Sequence, residues 1–225
     1  MRKKLIIVMD GPAGAGKSTV SQILAQKLKY TYLDSGALYR CIAYEALRRK
    51  IPPRNSMALY QMAKGCKIYF KKTNSAQQVY LNGQNVTSVI RTPTMSQWAS
   101  QYSALPKVRL ALLWQQRKLA SKGGIVGEGR DMGTVVFPKA DVKFFLKASL
   151  EERSHRRFLE LKEKGMKLKK GHVAAEIQAR DRQDTKRKTA PLKRAKDAIE
   201  VDTTHLGIDE VVGALYKKIQ EKQSK

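Results

Sequence analysis

Cysteine is almost absent from this chain of 225 residues, which holds only Cys41 and Cys66. Two thiols make a disulfide framework or a zinc cluster a poor reading and two buried, reduced thiols the better one. Long apolar runs are missing too. Leu5-Ile6-Ile7-Val8-Met9 follows the basic Met1-Arg2-Lys3-Lys4 but stops at Asp10, shorter than the apolar region of a secretion signal. No other stretch is long enough to span a bilayer. A cytoplasmic protein without a membrane segment is expected. Acidic residues are scarce: 19 Asp and Glu face 45 Lys and Arg, a formal net charge of +26. That excess points to anionic partners, whether phosphates, nucleic acid or acidic membranes, without choosing among them. His155, His172 and His205 have no spacing that suggests a metal site.

With 42% hydrophobic and 28% charged residues, the composition is that of a globular protein, and the length suits one domain, with or without an inserted lobe. The run Leu5–Met9 reads as a central parallel strand buried on both faces. A Gly-rich turn follows, then a helix over Ser18–Leu28 with Val20, Ile23, Leu24 and Leu28 on one stripe. Strand, Gly turn and helix at the start predict an α/β fold. Thr31–Leu33 reads as a second strand and Ala37–Arg49 as a helix stopped by Pro52-Pro53. From Cys66 to about Val86 the character changes to short strands, with Asn82-Gly83 as a hairpin-turn signal. Such a sheet suggests an inserted lobe. Helices are expected over Thr94–Ser103 and Pro106–Ala120, strands at Gly124–Gly127, Val142–Leu146 and Ala198–Val201, and charged helices over Leu150–Lys164 and Val173–Lys188. A basic hinge at Lys167–Lys170 joins the charged pair, and a last helix carries Ile208, Val211, Val212, Leu215, Tyr216 and Ile219 on one face, ahead of a frayed tail.

The chemistry begins at Gly11-Pro12-Ala13-Gly14-Ala15-Gly16-Lys17-Ser18, followed by Thr19, which fits the phosphate-loop pattern G-x-x-x-x-G-K-[ST]. Glycines let the backbone curl so that its N–H groups face phosphate oxygens. Lys17 reaches the β- and γ-phosphates, the Ser18 hydroxyl ligates Mg²⁺, and the helix start adds its positive end. The competing reading, a Gly-rich turn with no ligand, leaves Lys-Ser at the helix start unexplained. No Asn-Lys-x-Asp element is present, which argues against a GTPase.

Three further segments extend the site. Asp34-Ser35-Gly36-Ala37-Leu38-Tyr39-Arg40 lies at a strand end, where α/β sheets bind ligands. There Ser35 could bond a substrate and Arg40 hold its phosphate, or Asp34 or Ser35 could simply cap a helix beside a surface Arg. Glu128-Gly129-Arg130-Asp131-Met132-Gly133 follows another strand, where an acid would act on Mg²⁺ or its waters. Arg153, Arg156 and Arg157 share one helix face, and Arg180, Asp184 and Arg187 another. With the hinge between them they read as a lid that places cations over phosphates and excludes water.

Together these segments resemble the bacterial cytidylate kinases of the nucleoside monophosphate kinase family. The resemblance is carried by Met9-Asp10-Gly11-Pro12 with its phosphate loop, Leu33–Arg40, Ala99-Ser100-Gln101 with Arg109, Gly129-Arg130-Asp131-Met132-Gly133-Thr134-Val135-Val136-Phe137-Pro138, and Arg180-Asp181 through Asp184, Arg187 and Ala190-Pro191-Leu192. It implies a P-loop core, residues 1–62 and 91–225, with a five-stranded parallel sheet flanked by helices. It also implies a helical lid at about 152–190 and a small antiparallel β insert at 63–90 on the monophosphate side. The implied reaction moves the ATP γ-phosphoryl group to CMP or dCMP with Mg²⁺ as cofactor, in pyrimidine metabolism, by a monomer with no obligate nucleic-acid or membrane partner. It assigns ATP binding to Gly11–Thr19 with Ser18 on the metal, and catalysis to Lys17, Arg130, Arg153 and Arg157. Ser100, Arg109 and Asp131 take the cytosine. Arg40, Arg130 and Arg187 take the monophosphate, Arg180 and Asp184 the sugar, and Ser35 and Tyr39 line the pocket. Glu128, expected among the substrate-binding residues, departs from the family, which commonly has Asp there; the charge is kept with one more methylene of reach, so that it meets either the substrate or the Mg²⁺ waters. Two rivals are a different small-metabolite P-loop kinase, indifferent to CMP, and an RNA-binding protein with incidental ATPase activity, which predicts RNA-stimulated hydrolysis.

Overall fold

The computed structural model describes residues 4–73, 77–163, 165–166 and 169–223. In chain order the elements are β1 (Ile6–Asp10), α1 (Lys17–Leu28), β2 (Thr31–Asp34), α2 (Ser35–Arg48), α3 (Ser56–Gly65), β3 (Ile68–Lys72), β4 (Gln77–Leu81), β5 (Gln84–Asn85), α4 (Pro93–Ser103) and α5 (Pro106–Leu119). There follow β6 (Ile125–Gly129), β7 (Val142–Lys147), α6 (Leu150–Glu163), α7 (Lys170–Lys186), β8 (Ile199–Asp202) and α8 (Ile208–Gln223). Half of the expected basic hinge, 167–168, falls outside the described residues, as does the end of the tail, and α7 begins at Lys170 within that hinge. Two compact units result: Met1–Leu33 with Ala120–Lys225, and Asp34–Leu119.

The first unit is built on a parallel five-stranded sheet in the order β2-β6-β1-β7-β8. β1 is central because both its faces are apolar: Ile7, Val8 and Met9 are fully buried. It pairs in parallel with β6, Asp10 opposite Gly129, and with β7, Asp10 opposite Phe145. The carboxyl ends of β1 and β6 therefore lie side by side, and the phosphate loop leaves one as Arg130-Asp131 leaves the other. Leu24 and Val20 of α1, Phe144 and Leu146 of β7, and Val211, Val212, Leu215 and Ile219 of α8 close a continuous core. A second apolar cluster joins Ala13 of the phosphate loop to Leu161 of α6 and Val173 and Ile177 of α7.

After β6 the chain makes one π-helical turn, Met132–Val136, with Val136 N–H bonded to Asp131 O at 3.1 Å and Phe137 N–H to Met132 O at 2.7 Å. Nothing in the periodicity announced it; such wide turns recur at functional sites. α2 begins at Ser35, two residues before the expected start, because Asp34 caps it by accepting from Ala37 N–H at 2.8 Å.

The second unit holds α2–α5 and an antiparallel sheet in the order β3-β4-β5. The Asn82-Gly83 turn has φ 50° and 87°, the positive values that this pair adopts at little cost.

Gly11 tests how tightly the loop is built in. Its φ is +149°, and a Cβ there would stand 2.1 Å from the Leu146 carbonyl oxygen of β7. Gly11→Ala should lower the unfolding free energy by at least about 2 kcal/mol in urea titrations. Gly213→Ala, on α8 with nothing within 4 Å of a new Cβ, should instead leave stability unchanged or raise it by up to ~1 kcal/mol.

Candidate active site

α1 starts at Lys17 directly after Gly16, whose φ is 82° and which offers no side-chain cap. The first amides of the helix are thus left for a ligand, as an anion site requires. Lys17 is 5% exposed, and its ammonium donates to Pro12 O at 2.6 Å. Burial, then the nearby Arg130 charge, pushes its pKa down to about 7, while Glu128 and Asp10 pull the other way.

Asp10 closes the other side. Its two carboxylate oxygens accept from Met132 N–H at 2.8 Å and Gly133 N–H at 2.7 Å, tying the end of β1 to the π-helical turn. Burial raises its pKa to about 6 in spite of those two donors. Glu128 is 5% exposed and accepts from the Tyr32 hydroxyl at 2.6 Å.

Beyond them lies a cluster of arginines around Asp184. Arg130 Nε donates to Asp184 Oδ2 at 2.9 Å, Arg187 Nη1 lies 3.5 Å from Asp184 Oδ1, and Arg180 Nε 4.0 Å from Oδ2. Arg187 also lies 3.4 Å from Asp131 Oδ1 and donates to Ala190 O at 2.6 Å. Burial works against the Asp184 charge, but Arg130, Arg180 and Arg187 hold its pKa below the usual carboxylate value. Burial likewise opposes the Arg130 charge, and Asp184 more than offsets it.

The helical hairpin α6–α7 is fastened to the phosphate loop by polar bonds as well as by apolar packing. Asp181 Oδ1 accepts from Ala13 N–H at 3.0 Å. Arg153 donates to Ala13 O at 2.9 Å and to Ala148 O at 3.0 Å, and pairs with Asp181. Arg153, Arg156 and Arg157 meet different partners. Arg156 bonds Glu152 and Thr203, and Arg157 pairs with Glu160 at 2.6 Å.

Lys17, Glu128, Arg130, Asp131, Arg180, Asp184 and Arg187 are thus gathered in the first unit, with Ser18 and Thr19 exposed beside Lys17. The second unit gathers Ser35, Tyr39, Arg40, Ser100 and Arg109. There the Arg109 guanidinium lies 5.3 Å from the Tyr39 ring centroid and donates to Ser103 O at 2.9 Å. Ser103 in turn donates to Ser100 O at 2.9 Å. Asp34 and Arg40 both border Gly36: a Cβ there would sit 3.2 Å from Asp34 Oδ1 and 3.4 Å from Arg40 Nη1.

Sequence reasoning gave no role to Asp10, Asp181 or Tyr32. Asp10 did leave a signal, a carboxylate ending a buried apolar strand. Asp181 and Tyr32 left none, because their partners are 168 and 96 residues away.

The pattern that defines cytidylate kinases matches residues 7–221. The chain is 45% identical over 223 residues to the cytidylate kinase of Syntrophotalea carbinolica and 46% over 222 to that of Geobacter sulfurreducens, each alignment covering 99% of this chain and 95% of the relative. The chain belongs to the cytidylate kinase family. A further member, from Bacillus thuringiensis, is 47% identical over 212 residues, 94% of each chain. An uncharacterized protein from Eubacterium ventriosum, 11% identical, superposes with a TM-score of 0.53 over 97% of this chain and 99% of its own, a likeness of fold alone.

Within this member of the family, Asp184 should behave as the counter-charge of the arginine cluster. Asp184→Asn removes the carboxylate that Arg130 bonds and that Arg180 and Arg187 approach, and should lower stability by about 3 kcal/mol at pH 7. The Asp184 pKa is depressed on folding, so its contribution is complete above the unfolded value near 3.8 and disappears as pH falls through the lower folded value. Urea unfolding from pH 7 to pH 2 should show the variant and the parent converging at the acid end.

Proposed function

We propose that this chain transfers the γ-phosphoryl group of ATP to CMP or dCMP, giving ADP and CDP or dCDP. The observation that carries the reading is the phosphate loop, with Lys17 buried at its base, in the same unit as the Asp184-centred arginines, in a chain of this family. Phosphoryl transfer of this kind needs little covalent chemistry from the protein; positioning and charge stabilisation supply the rate.

ATP binds along Gly11–Thr19, its phosphates taking the backbone N–H groups at the start of α1 and the Lys17 ammonium, which exchanges its Pro12 carbonyl for phosphate oxygens. Arg40, Arg130 and Arg187 hold the acceptor monophosphate, Arg180 and Asp184 its sugar, and Ser35 and Tyr39 line the pocket. Ser100, Arg109 and Asp131 read the base. An Asp accepts from the cytosine amine, while Ser and Arg donate to N3 and O2; uracil inverts the first two of these groups and is disfavoured. Arg153 acts in catalysis by holding the Ala13 segment of the loop, and Arg157 by turning from Glu160 to phosphate.

Mg²⁺ suits the donors near the loop. Ser18 and Glu128 are hard oxygen donors, and no group of three or more His, Cys, Asp or Glu is poised for a metal among the described residues. That is the pattern of an ion held mainly by nucleotide phosphates and water. Ser18 would ligate it and Glu128 would hold its waters; when bound it neutralises charge on the β- and γ-phosphates. Residues 63–90 form the monophosphate-side lobe of a core made by 1–62 and 91–225, and the lid at about 152–190 shuts water out. The reading includes action as a monomer in the cytoplasm, in pyrimidine nucleotide metabolism.

ADP release should be measured with ATP and Mg²⁺ against CMP, dCMP, UMP, AMP and GMP. Turnover should be strong with CMP and dCMP and weak with AMP and GMP. Arg109→Ala and Asp131→Ala should each reduce the preference for CMP over UMP by at least about tenfold. An unchanged preference refutes the base-reading roles, and no turnover with any monophosphate, in folded protein that binds ATP, refutes the kinase reading.

A further inference from the structure

The positive charge is distributed unevenly, and nothing in the reaction explains where most of it lies. Residues 46–127 hold 14 Lys and Arg and no Asp or Glu. The two carboxylates of the second unit are both engaged: Asp34 caps α2, and Glu45 is 1% exposed and paired with Arg48 and Arg49. Long-range attraction for a polyanion is therefore uncompensated there.

The antiparallel sheet gives this charge a shaped surface. In the β3–β4 pairing Tyr69 stands opposite Tyr80 and Lys71 opposite Gln78, and in the β4–β5 pairing Tyr80 stands opposite Asn85. Alternation puts these five side chains on one face. The other face carries Phe70, Val79 and Leu81, of which Val79 and Leu81 are buried. On the outer face the two tyrosine rings are stacked, with centroids 5.1 Å apart and planes 6° from parallel. Tyr69 is nonetheless 44% exposed. Lys67, two residues before Tyr69, and Lys71, two after it, are both exposed. Tyr80 donates to Gln78 Oε1 at 3.0 Å, which leaves the Gln78 amide N–H groups turned to other partners.

We propose that this face, formed by Tyr69, Tyr80, Lys67, Lys71, Gln78 and Asn85, binds single-stranded nucleic acid. A cross-strand aromatic pair steadies a hairpin wherever it occurs. Here the pair also leaves Tyr69 exposed, flanked in sequence by two exposed lysines, in a stretch without a carboxylate. Bases stack on such faces whatever their identity, lysines meet the phosphates, and side-chain amides meet base edges. A duplex hides its base faces and gains only the charge. An acidic protein or membrane would likewise gain only the charge, so the stacked pair with its exposed Tyr69 favours the single strand. The proposal is independent of the kinase reading.

The test is fluorescence anisotropy of labelled 12-nucleotide oligo-U and oligo-A, as RNA and as DNA, on the full chain with saturating CMP and ATP. Binding should persist, because none of the residues assigned to the nucleotides lies on β3, β4 or β5, and should weaken steeply with salt. Tyr69→Ala with Tyr80→Ala should weaken it by about tenfold or more, with heparin binding unchanged. Lys67→Gln with Lys71→Gln should reduce the slope of log K against log salt by about 1 to 2. Thermal melts report folding; if the alanine pair does not fold, leucine at both positions keeps apolar bulk without the ring face. Displacement by CMP and ATP, equal or tighter binding of a duplex, or indifference to the tyrosine changes would each overturn the proposal. So would an equal loss on Trp114→Ala, an exposed aromatic elsewhere in the unit with Lys118 over its ring, or binding only to phosphatidylserine vesicles.

Discussion

The crowding of like charge around one carboxylate governs the architecture of the first unit. Lys17, Arg130, Arg180 and Arg187 come together at the carboxyl ends of a buried sheet, where water cannot screen them fully. Asp184 offsets the repulsion among the three arginines there, and Arg130 and Arg187 keep their geometry through the carbonyls of Gly129 and Ala190. Lys17 donates to a neutral carbonyl, and burial and the Arg130 charge loosen its proton against the pull of Glu128 and Asp10. A ligand with several phosphate charges supplies what the protein lacks, so binding and relief of this repulsion are the same event.

Holding such a site requires a backbone that does not yield. The phosphate loop is fixed at its start by the Gly11 approach to β7, at its middle by Ala13, and at its end by α1. Asp10 ties the same strand end to the turn carrying Met132 and Gly133. Asp181 and Arg153 bond both the N–H and the carbonyl of Ala13, so the helices that bear Arg180, Asp184 and Arg187 are anchored to the loop they serve. Movement of that hairpin would be transmitted directly to the phosphate-binding backbone.

What could be read from the sequence was what is encoded locally. The apolar run of β1, the glycine spacing before Lys17, and Asn82-Gly83 each declare their structure within a few residues, and each is found as expected. The arginine cluster was legible as charge on helix faces but not as a hub on Asp184, because Arg130 is 54 residues distant from its partner. The stripe shared by Arg153, Arg156 and Arg157 was legible, but their partners were not: Arg153 reaches Ala13 and Asp181, Arg156 reaches Thr203 as well as Glu152, and Arg157 pairs within α6 with Glu160. The π-helical turn escaped notice because its cause, the Asp10 carboxylate, lies on another strand.

The most direct test of this account is the protonation of Lys17. Calorimetric titration of ATP into the chain at pH 8, repeated in buffers of different ionisation enthalpy, counts the protons that accompany binding. With the free pKa near 7 and phosphate charge raising it in the complex, uptake of more than about half a proton per site is predicted, and Lys17→Met should abolish it. ATP binding with no proton uptake in the parent chain would contradict the claim that the phosphates relieve a repulsion built into the free site.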